Sequence, residues 1–130
     1  MHILLVEDEP GIVNFLQQGL EEENYQVSVC QNGKIGLKTA LQQDADLIIL
    51  DWMLPELSGI EICKAFRKVN TTTPIIFLTA KDTIDETIEG LQSGANDYIK
   101  KPFHFEELLE RIKVQLRSKT DENFTYELGN

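Results

Sequence analysis

The chain has 130 residues, one domain's worth, with 42% hydrophobic residues to supply a core and 26% charged residues, which excludes a disordered composition. Its net charge of −10, from 12 basic and 22 acidic residues, repels phosphate backbones and argues against nucleic-acid binding by this segment itself. No apolar run is long enough to span a membrane, and the start Met1–Asp8 turns acidic too soon for a signal peptide, so a cytoplasmic protein is expected.

Strand and helix patterns alternate five times. Ile3–Val6 is a short apolar run suited to a strand buried on both faces. Pro10 opens a helix where its missing N–H costs nothing, and Ile12, Val13, Leu16 and Leu20 form that helix's apolar stripe. Gln26–Cys30 alternates as a strand. A short helix around Lys34–Gln43 should turn Leu37, Ala40 and Leu41 inward. Leu47–Leu50 is the most continuous apolar run and should be the central strand, ending at Asp51. After a loop with Pro55 and Gly59, a helix is expected to bury Ile62, Cys63, Phe66 and Val69.

Pro74–Thr79 reads as the fourth strand, with proline at its first position. The next helix carries a thin stripe of Ile84, Ile88 and Leu91, with Asp82, Asp85 and Glu86 at its positive N-terminal end and Gly94 as its C-terminal cap. Asp97–Lys100 is a short fifth strand. The last helix spaces Phe105, Leu108, Leu109, Ile112 and Leu116 helically. Residues 118–123 are polar and read as a linker; residues 124–130 turn extended and partly apolar, like the cut-off start of another element. Strands alternating with helices imply a doubly wound α/β fold, a parallel sheet covered on both faces. Cys30 and Cys63 read as small core residues in a reducing compartment. His2 and His104, without zinc-like spacing, are taken as structural.

In open parallel sheets, sites form beyond the carboxyl ends of the strands. The first strand is followed by Glu7 and Asp8, the third by Asp51; the fourth ends in Thr79 and Ala80, and the fifth is followed by Lys101 and Pro102. Clustered carboxylates repel, and a hard cation with oxygen ligands relieves them; Mg²⁺ suits a few carboxylates, waters and a phosphate. A carboxylate can also form an aspartyl phosphate, with Thr79 donating a hydrogen bond and Lys101 neutralising charge. Each residue alone is an ordinary loop residue. Their convergence on one sheet edge is what points to chemistry.

Four motifs in order then resemble the receiver domains of bacterial two-component response regulators over residues 1–117: Val6-Glu7-Asp8-Glu9, Asp51-Trp52-Met53-Leu54-Pro55-Glu56-Leu57-Ser58-Gly59, Leu78-Thr79-Ala80 and Lys101-Pro102-Phe103. The resemblance implies a flavodoxin-like five-stranded sheet of order 2-1-3-4-5 with five helices. It implies Asp51 as phosphoacceptor from a sensor histidine kinase, and Mg²⁺ among Glu7, Asp8, Asp51 and the Met53 backbone carbonyl. It gives Thr79, Ala80 and Lys101 the phosphate, Thr79 and Tyr98 a switch role, and the Lys101–Pro102 bond a cis geometry. The switch is a population shift that alters the surface of the fourth helix, fifth strand and fifth helix.

Asn96-Asp97-Tyr98-Ile99 with Glu107 and Arg111, and Phe124–Gly129, resemble the subfamily that carries a winged-helix DNA-binding domain. That implies an N-terminal fragment of a transcription regulator, reaching DNA only through the missing domain. It also implies a homodimer through Asp97, Glu107 and Arg111. Two positions depart: Glu89 stands where a basic partner is usual and Asn96 where an acid is frequent. The rivals are an aspartyl-nucleophile Mg²⁺ phosphatase, which would want an acid where Met53 stands; a flavin module, whose phosphate loop would not be acidic; and a stand-alone receiver acting only by protein contact. A signalling switch without separate substrate turnover is the expectation.

Overall fold

The computed structural model describes the backbone of residues 1–129 and the side chains of residues 1–117. Its elements are β1 (His2–Val6), α1 (Pro10–Glu22), β2 (Gln26–Cys30), α2 (Gly33–Gln42), β3 (Leu47–Leu50), α3 (Gly59–Arg67), β4 (Ile75–Thr79), α4 (Ile84–Gln92), β5 (Asp97–Lys100) and α5 (Phe105–Gly129). The five strands are all parallel, in the order β2-β1-β3-β4-β5. This is the flavodoxin-like arrangement expected from the sequence.

Alternation along the central strands builds two cores. Leu4, Val6, Ile48, Leu50, Ile75 and Phe77 face α2 and α3, where Ala40, Ile62, Cys63 and Phe66 meet them. Ile3, Leu5, Leu47, Ile49, Ile76 and Leu78 face the opposite way, against Leu16 and Leu20 of α1 and Leu108, Ile112 and Leu116 of α5. A strand of Leu47–Leu50 type is therefore apolar throughout because both its faces are covered. Helix starts reflect local chemistry. Pro10 is the first residue of α1, the side chains of Asn32 and Ser58 accept from Ile35 N–H and Glu61 N–H, and Thr83 and Glu86 form a reciprocal capping box on α4. Gly94, at φ 120°, comes after the end of α4 in a conformation that favours glycine.

Three packing expectations fail, each at a helix. Leu41 is 51% exposed; α2 buries Gly33, Gly36 and Ala40 instead, with Gly36 brought against Val6. Val69 is 72% exposed because α3 ends at Arg67, before the next inward position. On α4 the stripe of Ile84, Ile88 and Leu91 faces outward, and Gly90 is the buried residue, set against the Tyr98 ring. At the C-terminus the backbone is helical through Gly129, over the residues where a linker at 118–123 and the start of a further element from 124 were expected. Extending an existing helix gains one hydrogen bond for each residue fixed, so polar residues can continue α5 without a new nucleus. The side chains from 118 onward, and residue 130 altogether, lie outside the described residues.

Candidate functional site

The carboxyl edge of the sheet gathers the residues read from the strand ends. Asp51 leaves β3 with its backbone N–H bonded to the Val6 carbonyl, 3.0 Å away, so the ends of β1 and β3 are locked side by side. Glu7 and Asp51 are 1% and 3% exposed, a costly burial for two acids unless charge and hydrogen bonds answer them. Lys101 supplies the charge. Its Nζ lies 2.7 Å from Glu7 Oε1 and 3.0 Å from Asp51 Oδ2, with exposed Glu9 at 3.4 Å. The Lys101–Pro102 peptide is cis, as expected.

The hydrogen bonds are divided between oxygens. Glu7 Oε2 accepts from the backbone N–H groups of Asp8 (3.0 Å) and Glu9 (3.1 Å). Glu7 Oε1 receives no well-directed hydrogen bond; its contact with Lys101 is an ion pair of charges rather than an aligned bond. Asp51 Oδ1 accepts from Met53 N–H at 3.2 Å. Burial, foremost, and then the charge of Asp51 hold the Glu7 carboxyl above its ordinary range, against the pull of Lys101. Burial is also the largest single influence on Lys101 and works downward, but the close contacts with Glu7 and Asp51 and the charges of both acids together carry its pKa upward.

Asp8 is exposed at the rim, and oxygens of Glu7, Asp8 and Asp51 lie within 4.8 Å of one another. The donor set fits a hard divalent cation: carboxylates only, one of them at the solvent boundary, and one buried oxygen without a directed hydrogen bond. Thr79 is fully buried at the end of β4, and its Oγ1 accepts from Lys81 N–H at 3.3 Å. Ala80 is exposed and small, which leaves the edge open beside it.

The loop after Asp51 is held by backbone. Gly59 N–H donates to the Trp52 carbonyl at 2.8 Å, and a Cβ at Gly59 would stand 2.2 Å from the Asp51 carbonyl oxygen. From the other side, Gly33 N–H donates to the Pro55 carbonyl at 2.9 Å, Asn32 bonds Glu56, and a Cβ at Gly33 would stand 1.8 Å from the Leu57 carbonyl oxygen. Gly59 was visible in the sequence as a loop residue. The clasp from Asn32 and Gly33 was not, because it joins two loops distant in sequence; an Asn-Gly pair just after a strand was its only signal.

The remaining expected residues lie off this edge. Tyr98 on β5 is half-buried against Phe77, and its hydroxyl donates to the Lys81 carbonyl at 2.7 Å. Burial first, then the charges of Glu86 and Asp51, push its phenol up to about 12. Asp97 and Arg111 pair within the chain, at 3.1 Å, and Glu107 stands 3.4 Å from the same guanidinium. Asn96 turns its side-chain carbonyl to Ile75 N–H and Arg67, 2.9 Å from each, so it braces β4 and α3 in the place where an acid was anticipated. Glu89 is exposed on α4.

A 2-1-3-4-5 parallel sheet whose carboxyl edge collects acids from β1 and β3 and a lysine after β5 is the arrangement of signal-receiver domains. The chain belongs to the response regulator receiver domain family, whose sequence profile matches residues 3–113. It is 50% identical over 121 residues to the response regulator ArlR of Staphylococcus saprophyticus, covering 93% of this chain and 54% of that protein. It is 49% identical over 115 residues to the transcriptional regulatory protein PcoR of Escherichia coli, covering 88% of this chain and 51% of that protein. The chain thus spans about half the length of the curated relatives it matches. A solved structure, the receiver domain of sensor histidine kinase PA1611 of Pseudomonas aeruginosa with magnesium coordinated in its active-site cleft, superposes with a TM-score of 0.82 at 32% identity, over 88% of this chain and 96% of that one. Among the described residues no helix is long and apolar enough to cross a membrane.

Proposed function

We propose that the chain is a phosphorylation switch in which Asp51 accepts a phosphoryl group from the phosphohistidine of a sensor histidine kinase. The observation that carries this is the Lys101 ammonium 3.0 Å from a buried Asp51 carboxylate, beside a three-carboxylate cluster open to solvent through Asp8. A bond forms between an Asp51 oxygen and phosphorus as the bond from phosphorus to the donor imidazole breaks. The imidazole leaves with that electron pair and takes a proton from solvent. Glu7, Asp8, Asp51 and the Met53 carbonyl would hold Mg²⁺, which supplies charge neutralisation for the phosphoryl oxygens.

This chain's own residues do the rest. Lys101 stays within reach of the new phosphoryl oxygens, Thr79 offers them a hydroxyl proton, and the Gly59 turn fixes the carboxylate's approach. When Thr79 turns to the phosphate, its bond from Lys81 N–H is given up, and Tyr98, bonded to the same residue, responds. The readout in this reading is the α4-β5-α5 face, with a homodimer through Asp97, Glu107 and Arg111, and DNA bound only by a C-terminal domain beyond residue 123. Relatives of about twice this length, one named a transcriptional regulator, support that part. Because Asp97 and Arg111 are already paired internally, such a dimer must share or exchange that pair.

The test is intact mass after incubation with acetyl phosphate and Mg²⁺. One phosphoryl group should add to the parent chain and none to Asp51→Asn. Stable labelling of that variant, or repeated turnover of phosphate esters by the parent, would remove this reading.

A further inference from the structure

Lys81 is the point where the described contacts of the carboxyl edge and of α4 meet. Its backbone N–H donates to Thr79 Oγ1 at 3.3 Å, and its carbonyl accepts from the Tyr98 hydroxyl at 2.7 Å. Its ammonium lies 5.7 Å from the centre of the Trp52 ring, the residue directly after Asp51, and 3.3 Å from Glu86 Oε2. Glu86 is the same residue whose other oxygen caps α4, accepting from Thr83 N–H and Thr83 O–H. Other neighbours would also act on this residue: Asp82 is adjacent, and Tyr98 feels the charges of Glu86, Asp82 and Glu89.

We propose that the Lys81 side chain, held between the Trp52 ring and Glu86, is a positioning residue that transmits the state of the phosphoacceptor loop to the first turn of α4. The proposal rests on Asp51 being the phosphoacceptor. Its physical basis is that the two ends of the side chain's contacts belong to different bodies. Trp52 moves with the Asp51 loop, while Glu86 moves with α4. An exposed ion pair alone contributes little to stability. One that is shared with an aromatic face and a helix cap can still bias an equilibrium between two positions of that helix, because only the difference between states counts.

Glu86→Gln removes the charge but can keep the capping box, since glutamine serves at that position. With acetyl phosphate and Mg²⁺, this variant should gain one phosphoryl group as the parent does. The change in amide hydrogen exchange over residues 84–92 that accompanies phosphorylation in the parent should fall by about fivefold. Lys81→Met, which keeps a side chain of similar length without the charge, should lose the same response, Lys81→Arg should retain it, and the double variant should lose no more than either single one. Trp52 is the sole tryptophan, so without phosphodonor its emission should shift in Lys81→Met. An α4 response in Glu86→Gln equal to the parent's, losses that add in the double variant, or an unmoved Trp52 emission would each overturn the link while leaving the phosphoacceptor reading intact. Failure of the parent chain to gain a phosphoryl group would overturn that reading itself.

Discussion

The carboxyl edge and the α4-β5-α5 face each carry a cation between acids, and the two are built differently. At the edge, Lys101, with a side chain 10% exposed, sits between Glu7 and Asp51, which are almost wholly buried. On the face, Arg111, with a side chain 43% exposed, sits between Asp97 and Glu107, exposed by 21% and 50%. Buried charges are tied to one geometry because separating them strands a charge in a poor solvent; exposed ones can change partners at little cost. A site that must hold its reacting groups in register wants the first kind. A surface that must change partners wants the second.

The largest test of that contrast is Lys101→Met. It leaves two buried carboxylates without their counter-charge and should destabilise the fold by about 3 kcal/mol in chelator, with part of the loss recovered in Mg²⁺. Urea unfolding with and without Mg²⁺ measures both; an unchanged midpoint in chelator would mean that solvent already answers these charges. Next comes a pair of glycines. Gly59→Ala would drive a Cβ into the Asp51 backbone and should cost about 1–3 kcal/mol and slow phosphoryl uptake. Gly90→Ala would meet the Tyr98 ring at 2.6 Å, a side chain that can move, and alanine in a helix recovers about 1 kcal/mol. Its unfolding midpoint should therefore change little while the Tyr98 environment changes, read from its ring resonances.

Smaller still, Arg111→Ala should shift stability by less than about 1 kcal/mol, and less again in high salt. The last test concerns the titration of Tyr98, which leaves stability at neutral pH untouched and shows only in alkali. Its folded pKa lies above the ordinary tyrosine value of 10.0, so the folded state holds its proton where the unfolded chain has released it. Its contribution to stability is then complete below pH about 10 and declines as pH rises toward about 12. Tyr98→Phe should abolish the highest of the tyrosinate absorbance steps; a highest step that survives in the variant while a lower one is lost would show that another tyrosine is the late one.

The sheet and the edge were legible in the sequence for a simple reason. A strand such as Leu47–Leu50, buried on both faces, announces itself by unbroken apolarity, and the residues just beyond the ends of such parallel strands must lie at one edge. The α4 face was not legible. Periodicity groups Ile84, Ile88 and Leu91 on one side of a helix but does not say whether that side meets core or water. Gly90 gave no apolar signal, yet it is the residue that α4 lays against Tyr98. Leu41 and Val69 failed for a related reason: each lies at or beyond the last turn of its helix, where the stripe has left the sheet. The internal pairing of Asp97 with Arg111 depends on how β5 lies against α5, which no local pattern encodes.

Taken as ions, the three carboxylates Glu7, Asp8 and Asp51 and the one ammonium of Lys101 sum to two negative charges. A divalent cation brings that total to zero. Under the phosphoacceptor reading, phosphorylation then replaces the single charge of Asp51 with the roughly two of a phosphoryl group, so the fully loaded edge carries about one negative charge. With both cation and phosphoryl group bound the edge is therefore less negative than with neither, and the rest of a strongly acidic surface meets no added repulsion from it. In that same reading Lys101 acts as a seat-holder: its charge offsets part of the repulsion between the acids before any cation binds, and it is already in place when the phosphate arrives.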